Sequence, residues 1–259
     1  MKDEKGRNEG GRMKDEKEGF NSSLIPHPSS LNVIALIPAA GAGKRMGRET
    51  SKQYLEIGGR PILAHTLDVF DRCDAVSEVC LIVPEDDCPY ACDLVDGMRF
   101  SKPIRVIAGG KERQDSVKNG LDAIYNCDIV MVHDGVRPFV TEAIINRSIE
   151  ETAKYGATVV AIPAKDTIKS VDAEGNVIET LDRKRLWQIQ TPQTFRYEIL
   201  KEAFDKAYKE GFYGTDDAAL VERLGCKVKV VEGSYDNIKI TTQEDLVIAE
   251  AILKSRGGK

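Results

Sequence analysis

A doubly wound, mostly parallel α/β sheet is the fold class that this 259-residue sequence predicts, and three features predict it. Apolar runs of strand length recur along the chain, amphipathic stretches of helix length separate them, and a glycine-rich loop follows the first run directly. Strand alternating with helix favours parallel neighbours joined by right-handed crossovers. In such sheets ligands bind beyond the carboxyl ends of the strands, so the segments just after each strand are where chemistry is sought.

The first run, Val33-Ile-Ala-Leu-Ile-Pro-Ala, is continuous rather than alternating, as expected of a strand covered on both faces. Similar runs follow at Val79-Cys-Leu-Ile-Val, Ile104-Arg-Val-Ile, Ile129-Val-Met-Val and Ala157-Thr-Val-Val-Ala-Ile. Helical patterns are expected over 61–70, 112–125 and 141–155, with Pro61 and Thr141 as sensible starts. Segment 165–185 breaks the rhythm. It is polar, with a turn-forming Glu174-Gly-Asn176 between alternating stretches, and reads as a β-hairpin arm protruding from the sheet. Helical periodicity resumes over 195–209, with a shorter helix over 217–224. Strands over 227–231 and 237–240 and a final helix over 243–253 complete the pattern, and Thr242 with Asp245 resembles a capping box at that helix start.

Composition bounds the class. At 41% hydrophobic and 31% charged the chain is too apolar for a disordered protein, and no apolar run approaches the ~20 residues that span a bilayer. Residues 1–32 carry six cations and six anions, so the whole net charge of -5 belongs to the remainder. That stretch is expected to be a disordered, charged and Pro/Ser-rich extension, or an over-long start with Met13 or a later site as the true beginning. Residues 33–259 are expected to form one domain. The acidic remainder argues against nucleic-acid binding, which needs a basic face. The start shows no readable secretory signal, and the six cysteines form no CxxC pair, so reduced thiols and a cytoplasmic location are expected. Cys88 and Cys92 have CxxxC spacing but no His or Cys cluster nearby to complete a metal site.

The loop after the first strand, Ala39-Ala-Gly-Ala-Gly-Lys-Arg-Met-Gly, lets backbone N–H groups approach a phosphate chain. Arg45 stands where a Walker A loop needs Ser or Thr, and Gly47 comes one residue late for the dinucleotide GxGxxG spacing. Lys44, Arg45, Arg48 and Lys52 crowd into nine residues expected to face the ligand crevice. Such a cluster is repulsive unless an anion occupies it, and a triphosphate is the obvious one.

Pro38-Ala-Ala-Gly-Ala-Gly-Lys-Arg-Met-Gly followed by Lys52-Gln-Tyr-Leu-Glu-Ile-Gly-Gly-Arg-Pro-Ile resembles the signature of sugar-nucleotide-type nucleotidyltransferases. The resemblance is to the 2-C-methyl-D-erythritol 4-phosphate cytidylyltransferase family of the non-mevalonate isoprenoid pathway. It continues in order through Gly109-Gly-Lys-Glu-Arg-Gln-Asp-Ser116, Val132-His-Asp-Gly-Val-Arg-Pro138, Asp166-Thr-Ile-Lys169, Asp182-Arg183, Leu186-Trp187, Gln190-Thr-Pro-Gln193, Thr215-Asp-Asp-Ala218 and Asp236-Asn-Ile-Lys239. Residues 33 to about 253 are covered, and the ordered combination is specific although no single motif decides it.

The resemblance implies a Rossmann-like sheet of the nucleotidyltransferase type and transfer of CMP from CTP to the phosphate of methylerythritol phosphate, with release of pyrophosphate. Such chemistry asks for positioning and charge neutralisation rather than a nucleophilic side chain. With only His27, His65 and His133 as bases, the sequence offers no convincing triad. By resemblance Arg45 and Lys52 stabilise charge on the α-phosphate, with Arg183 and Lys239 completing the catalytic set. Ala39, Ala40, Gly41, Gly43, Gly109, Gly110 and Ser116 are implied at the CTP site. Asp134, Arg137, Thr167, Arg183, Thr191, Thr215 and Lys239 are implied around the polyol phosphate. Mg2+ is implied on the triphosphate oxygens. No residue is assigned as its direct ligand, with Asp134 the one candidate to stand near it. Two positions depart from the family pattern: Lys111 replaces a frequent Asp, and Ser51 replaces the Pro that commonly precedes the catalytic lysine.

In the family the 165–185 arm reaches across a two-fold axis, which implies a homodimer in which Thr167 and Arg183 complete the neighbouring site. An arm that cannot bury its own apolar residues points the same way. Alternatives are a ribitol 5-phosphate or other sugar-phosphate cytidylyltransferase, and a non-catalytic nucleotide-binding protein on the same fold.

Overall fold

The computed structural model describes residues 31–41 and 51–257. The expected extension over 1–32 falls almost wholly outside the described residues, as do Gly43, Lys44, Arg45 and Arg48. Seven strands form the main sheet: β1 (Val33–Pro38), β4 (Glu78–Val83), β5 (Ile104–Ala108), β6 (Ile129–Val132), β7 (Ala157–Pro163), β10 (Trp187–Arg196) and β11 (Lys229–Glu232). Their spatial order is β11-β7-β10-β6-β1-β4-β5. β10 runs antiparallel to both β6 and β7, and the other pairings are parallel.

The continuous apolar runs arise because helices cover both faces. Along β1, Val33, Ala35 and Ile37 point to one face, where they share a core with Leu63, Leu67 and Phe70 of α1 (Ile62–Arg72) and with Ile145 and Ile149 of α4 (Glu142–Tyr155). Ile34 and Leu36 point to the other face, toward Val117 and Leu121 of α3 (Arg113–Ala123), Leu200 and Phe204 of α5 (Tyr197–Lys209) and Leu220 of α6 (Asp217–Arg223). Each fully buried side chain of this size contributes roughly 1.5–3 kcal/mol. A third cluster joins Leu55, Ile57, Ile62, Val136 and Ile240 beneath α7 (Gln243–Ser255).

Local signals explain the ends. Thr141 Oγ1 accepts from the Ile144 N–H and starts α4, and Thr242 with Asp245 makes a full capping box at α7. A small hairpin of β2 (Glu56–Ile57) and β3 (Arg60–Pro61) turns at Gly58 and Gly59, whose φ values of 56° and 72° favour glycine. The expected arm forms β8 (Lys169–Val171) and β9 (Val177–Thr180), a two-stranded sheet separate from the main one.

Two expectations are corrected, and one helix had no sequence expectation. Helix does not begin at Phe195: residues 187–196 form β10, and α5 starts at Tyr197. The strand is masked because Gln190, Thr191, Gln193 and Thr194 are polar yet buried, each hydrogen-bonded within the fold. Residues 237–240 are not a strand; Ile240 makes one backbone bond to the Val136 carbonyl and packs into the third cluster. α2 (Cys88–Met98) was not anticipated, because only Ala91 of its face is buried and its apolar periodicity is weak.

Candidate active site

The carboxyl ends of β1, β4, β5 and β6 converge, and backbone bonds carry their pairing into the loops beyond. The Ala39 N–H donates to the Ile82 carbonyl at 2.7 Å, Gly109 to Val83 at 2.7 Å, His133 to Leu36 at 2.9 Å and Gly135 to Pro38 at 3.1 Å. These bonds fix the walls of a cleft of about 350 Å³ at the ligand edge of the sheet.

Two sides of the cleft differ in chemistry. On one, Ala40, Gly41, Gly110 and Ser116 present small groups and backbone. A Cβ on Gly109 would stand 2.8 Å from Ala40 Cβ and 2.9 Å from Ser116 Oγ, so the loops approach as closely as glycine permits. Ser116 Oγ accepts from the Gly110 N–H at 3.1 Å and donates to the Glu112 carbonyl at 3.1 Å. Asp115 caps the start of α3 by accepting from the Glu112 N–H, while the hydroxyls of Tyr208 and Tyr213 donate to its other oxygen.

On the other side, Asp134 is 6% exposed amid three cations. Its Oδ2 lies 2.9 Å from Lys239 Nζ and 3.5 Å from Arg137 Nε, and its Oδ1 lies 3.4 Å from Arg113 Nε. Burial alone would raise its pKa, but Arg113, Lys239 and Arg137 together hold the carboxyl well below the usual range. Arg113 also donates to Asp217 Oδ2 at 2.8 Å. Burial pushes Asp217 above the usual carboxylate range, and Arg113 offsets only part of that.

Beneath Asp134, His133 is fully buried. Its Nε2 lies 3.0 Å from the Arg137 carbonyl, which can only accept, so Nε2 carries the proton and Nδ1 accepts from the Thr191 hydroxyl at 3.1 Å. Thr191 Oγ1 in turn accepts from the Asp134 N–H at 3.1 Å. Burial lowers the His133 pKa to about 4. Between an unfolded value of about 6.5 and this folded value, the unfolded chain takes up a proton that the folded chain refuses, so stability falls as pH falls through that window. The loss is about 3 kcal/mol. Urea midpoints of the wild type should therefore drop between pH 7 and pH 5, and His133→Gln should remove most of that slope; an undiminished slope in the variant would count against the assignment.

The structure brings Ala40, Gly41, Lys52, Gly110, Ser116, Asp134 and Lys239 to one cleft. Ala39 and Gly109 lie in the wall behind it, and Arg137 and Thr191 support Asp134 from below. Thr167, Arg183 and Thr215 are exposed and do not line the cleft; Arg183 donates to the Lys165 carbonyl at 2.6 Å at the base of the arm. Arg113 and Asp217 lie within the matching segments 109–116 and 215–218, but sequence alone assigns neither of them a role. Among the described residues no group of three or more His, Cys, Asp or Glu side chains could hold a metal ion. No helix there is long and apolar enough to cross a membrane.

The family model for 2-C-methyl-D-erythritol 4-phosphate cytidylyltransferase (IspD) matches residues 33–255. The chain belongs to this family. A cytidylyltransferase of that name from Geotalea uraniireducens is 54% identical over 229 residues, covering 87% of this chain and 98% of the relative. One from Syntrophus aciditrophicus is 49% identical, covering 88% and 98%. Among solved structures, 4-diphosphocytidyl-2C-methyl-D-erythritol synthase from Anaerococcus prevotii superposes with a TM-score of 0.78 at 36% identity, covering 86% of this chain and 96% of that one. The cytidylyltransferase from Thermus thermophilus gives 0.71 at 33% identity, covering 86% and 98%. This cytidylyltransferase therefore transfers CMP from CTP to the phosphate of 2-C-methyl-D-erythritol 4-phosphate, and the ribitol and non-catalytic alternatives fall away.

Proposed function

We propose that the cleft performs this transfer by holding two anions against one another between Lys52 and Lys239. The observation that carries the reading is the convergence of these cations, from segments nearly two hundred residues apart, on one 350 Å³ cleft with buried Asp134 between them. CTP places its base among Ala39, Ala40, Gly41, Gly109, Gly110 and Ser116, where backbone groups read the pyrimidine edge and the tight walls exclude a purine. Its triphosphate faces Lys52, with Arg45 and Gly43, which lie outside the described residues, assigned beside it by family resemblance.

The methylerythritol phosphate takes Lys239 as phosphate anchor, with Asp134 accepting from polyol hydroxyls and Arg137 and Thr191 holding Asp134 in place. A phosphate oxygen of this substrate forms the new bond to the α-phosphorus, and the bond from that phosphorus to the bridging oxygen breaks, pyrophosphate leaving with the electron pair. Preorganised cations stabilise the charge that develops. A Mg2+ would be held mainly by triphosphate oxygens and water, because both oxygens of Asp134 already face cations and no group of three or more His, Cys, Asp or Glu among the described residues could hold an ion. Such an ion would add further charge neutralisation on the triphosphate.

A Cβ at Gly110 would stand 2.3 Å from Asp115 Cβ and 3.1 Å from its backbone carbon, neither of which is a flexible tip. Gly110→Ala is therefore expected to displace the start of α3 and raise the KM for CTP by roughly an order of magnitude. Steady-state kinetics check this, and an unchanged KM would remove Gly110 from the CTP site.

The functional unit we assign is a dimer through the 165–185 arm, with residues 33–259 as one domain. Val171, Val177 and Ile178 on the arm are 55%, 57% and 67% exposed, a cluster that one copy alone leaves in water. A second copy covering it would bring Thr167 and Arg183 toward the polyol-phosphate site, with Thr215 assigned by family resemblance as a further contact there. Ile178→Glu should give a monomer with strongly reduced activity, and sedimentation showing a fully active monomer would defeat this part of the reading. All six cysteines are unpaired thiols, which supports a cytoplasmic setting.

A further inference from the structure

We propose that Arg113 is a further positioning residue of the transfer reaction: anchored by buried Asp217, it orients the Asp134 carboxylate so that Lys239 is presented to the polyol phosphate. The proposal rests on the reading of Asp134 and Lys239 given above. Arg113 opens α3 directly after the β5 loop and lines the cleft, whereas Asp217 is 1% exposed at the start of α6 and does not line it. Arg113 Nη2 donates to Asp217 Oδ2 at 2.8 Å and its Nε faces Asp134 Oδ1 at 3.4 Å.

A guanidinium presents its donors from one rigid plane, so a single side chain can hold two carboxylates in a fixed relation; an ammonium on a flexible stem cannot. With Oδ1 of Asp134 turned to Arg113, Oδ2 is left to Lys239 at 2.9 Å and Arg137 at 3.5 Å. Without Arg113 the carboxylate is free to rotate, and the contact that fixes the ammonium of Lys239 loses its direction. Independent bonds set Asp217 relative to Arg113. Gln114 donates to the Phe212 carbonyl at 3.0 Å and accepts from the Gly214 N–H at 2.9 Å, and the Tyr213 hydroxyl donates to Asp115 at 2.9 Å. These tie the connection before α6 to the first turn of α3. Asp217 thus acts on the site through Arg113 while touching no substrate.

The test compares Asp217→Asn, Arg113→Met, Arg113→Lys and Lys239→Ala by steady-state kinetics with each substrate varied, beside thermal melts of each variant. Asp217→Asn keeps the shape and one acceptor but not the charge. The expected result is a rise in the KM for methylerythritol phosphate of roughly tenfold or more in Asp217→Asn and Arg113→Met, with the KM for CTP within about twofold. Arg113→Lys should fail to restore it. A double variant combining Asp217→Asn with Arg113→Met should be no worse than the poorer single one, because both changes break one linkage. If Lys239→Ala raises the KM for methylerythritol phosphate while Asp217→Asn and Arg113→Met lower only the melting temperature, or move both KM values equally, the proposal is overturned and the polyol-phosphate reading stands. If Lys239→Ala leaves that KM unmoved, the underlying reading fails and the proposal with it.

Discussion

Lys52→Ala is expected to lower kcat by about 10²–10³-fold while leaving the fold intact. Lys52 opens a single 3-10 turn, Lys52–Tyr54, whose remaining residues do the anchoring. Gln53 is fully buried, Leu55 packs with Ile57, Ile62 and Val136, and the Leu55 carbonyl accepts from the Ile62 N–H at 2.8 Å. The lysine stem passes Gly41, with its Cε 3.7 Å from where a Cβ on that residue would stand. Truncating it therefore removes a cation from the cleft without opening a core cavity. Because the charge it meets grows as the α-phosphorus changes partners, the loss should fall on kcat more than on the KM for CTP. A melting temperature near wild type with kcat also near wild type would remove Lys52 from the chemistry.

The largest effect on stability is expected at Asp134. Asp134→Ala leaves Arg113, Arg137 and Lys239 facing one another around a vacated anion, and the side chain of Arg137 is only 11% exposed. Breaking a buried ion pair by removing one partner costs about 3–5 kcal/mol, which for a domain of this size lowers the melting temperature on the order of 10 °C. The upper part of that range is discounted because Lys239 and Arg113 keep side-chain exposures of 38% and 32% and can turn toward water. Asp134→Asn preserves the shape and should recover little, because the missing charge is the cause. Adding Arg137→Met to Asp134→Asn should regain part of the loss by removing the most buried of the stranded cations. A melting temperature for Asp134→Ala within a degree or two of wild type would show that the cations do not depend on it.

Where physics acts locally, the fold was legible. β1, β4, β6 and β7 announce themselves as nearly continuous apolar runs because both faces of the sheet are covered there, and Thr141 and Thr242 mark helix starts by their hydroxyls. β10 was not legible, since its continuously buried stretch is written in the polar residues Gln190, Thr191, Gln193 and Thr194, whose buried partners the sequence does not reveal. Those same residues shape the site: the Thr191 hydroxyl donates to His133 Nδ1, and Gln193 donates to Asp216 at 2.8 Å while accepting from the Ala218 N–H at 3.0 Å. The cleft residues were legible through motif order rather than through pattern. The link between Arg113 and Asp217 was not, because it joins positions 104 residues apart and each alone is an ordinary charged residue.

Joining CTP to methylerythritol phosphate is the reaction assigned to this cleft. Incubation with CTP, Mg2+ and 2-C-methyl-D-erythritol 4-phosphate, with ribitol 5-phosphate in parallel, tests it by pyrophosphate release and product mass. One pyrophosphate is expected for each 4-diphosphocytidyl-2-C-methyl-D-erythritol formed, with little release with ribitol 5-phosphate. Release with ribitol 5-phosphate in preference to methylerythritol phosphate, or with neither, would contradict it.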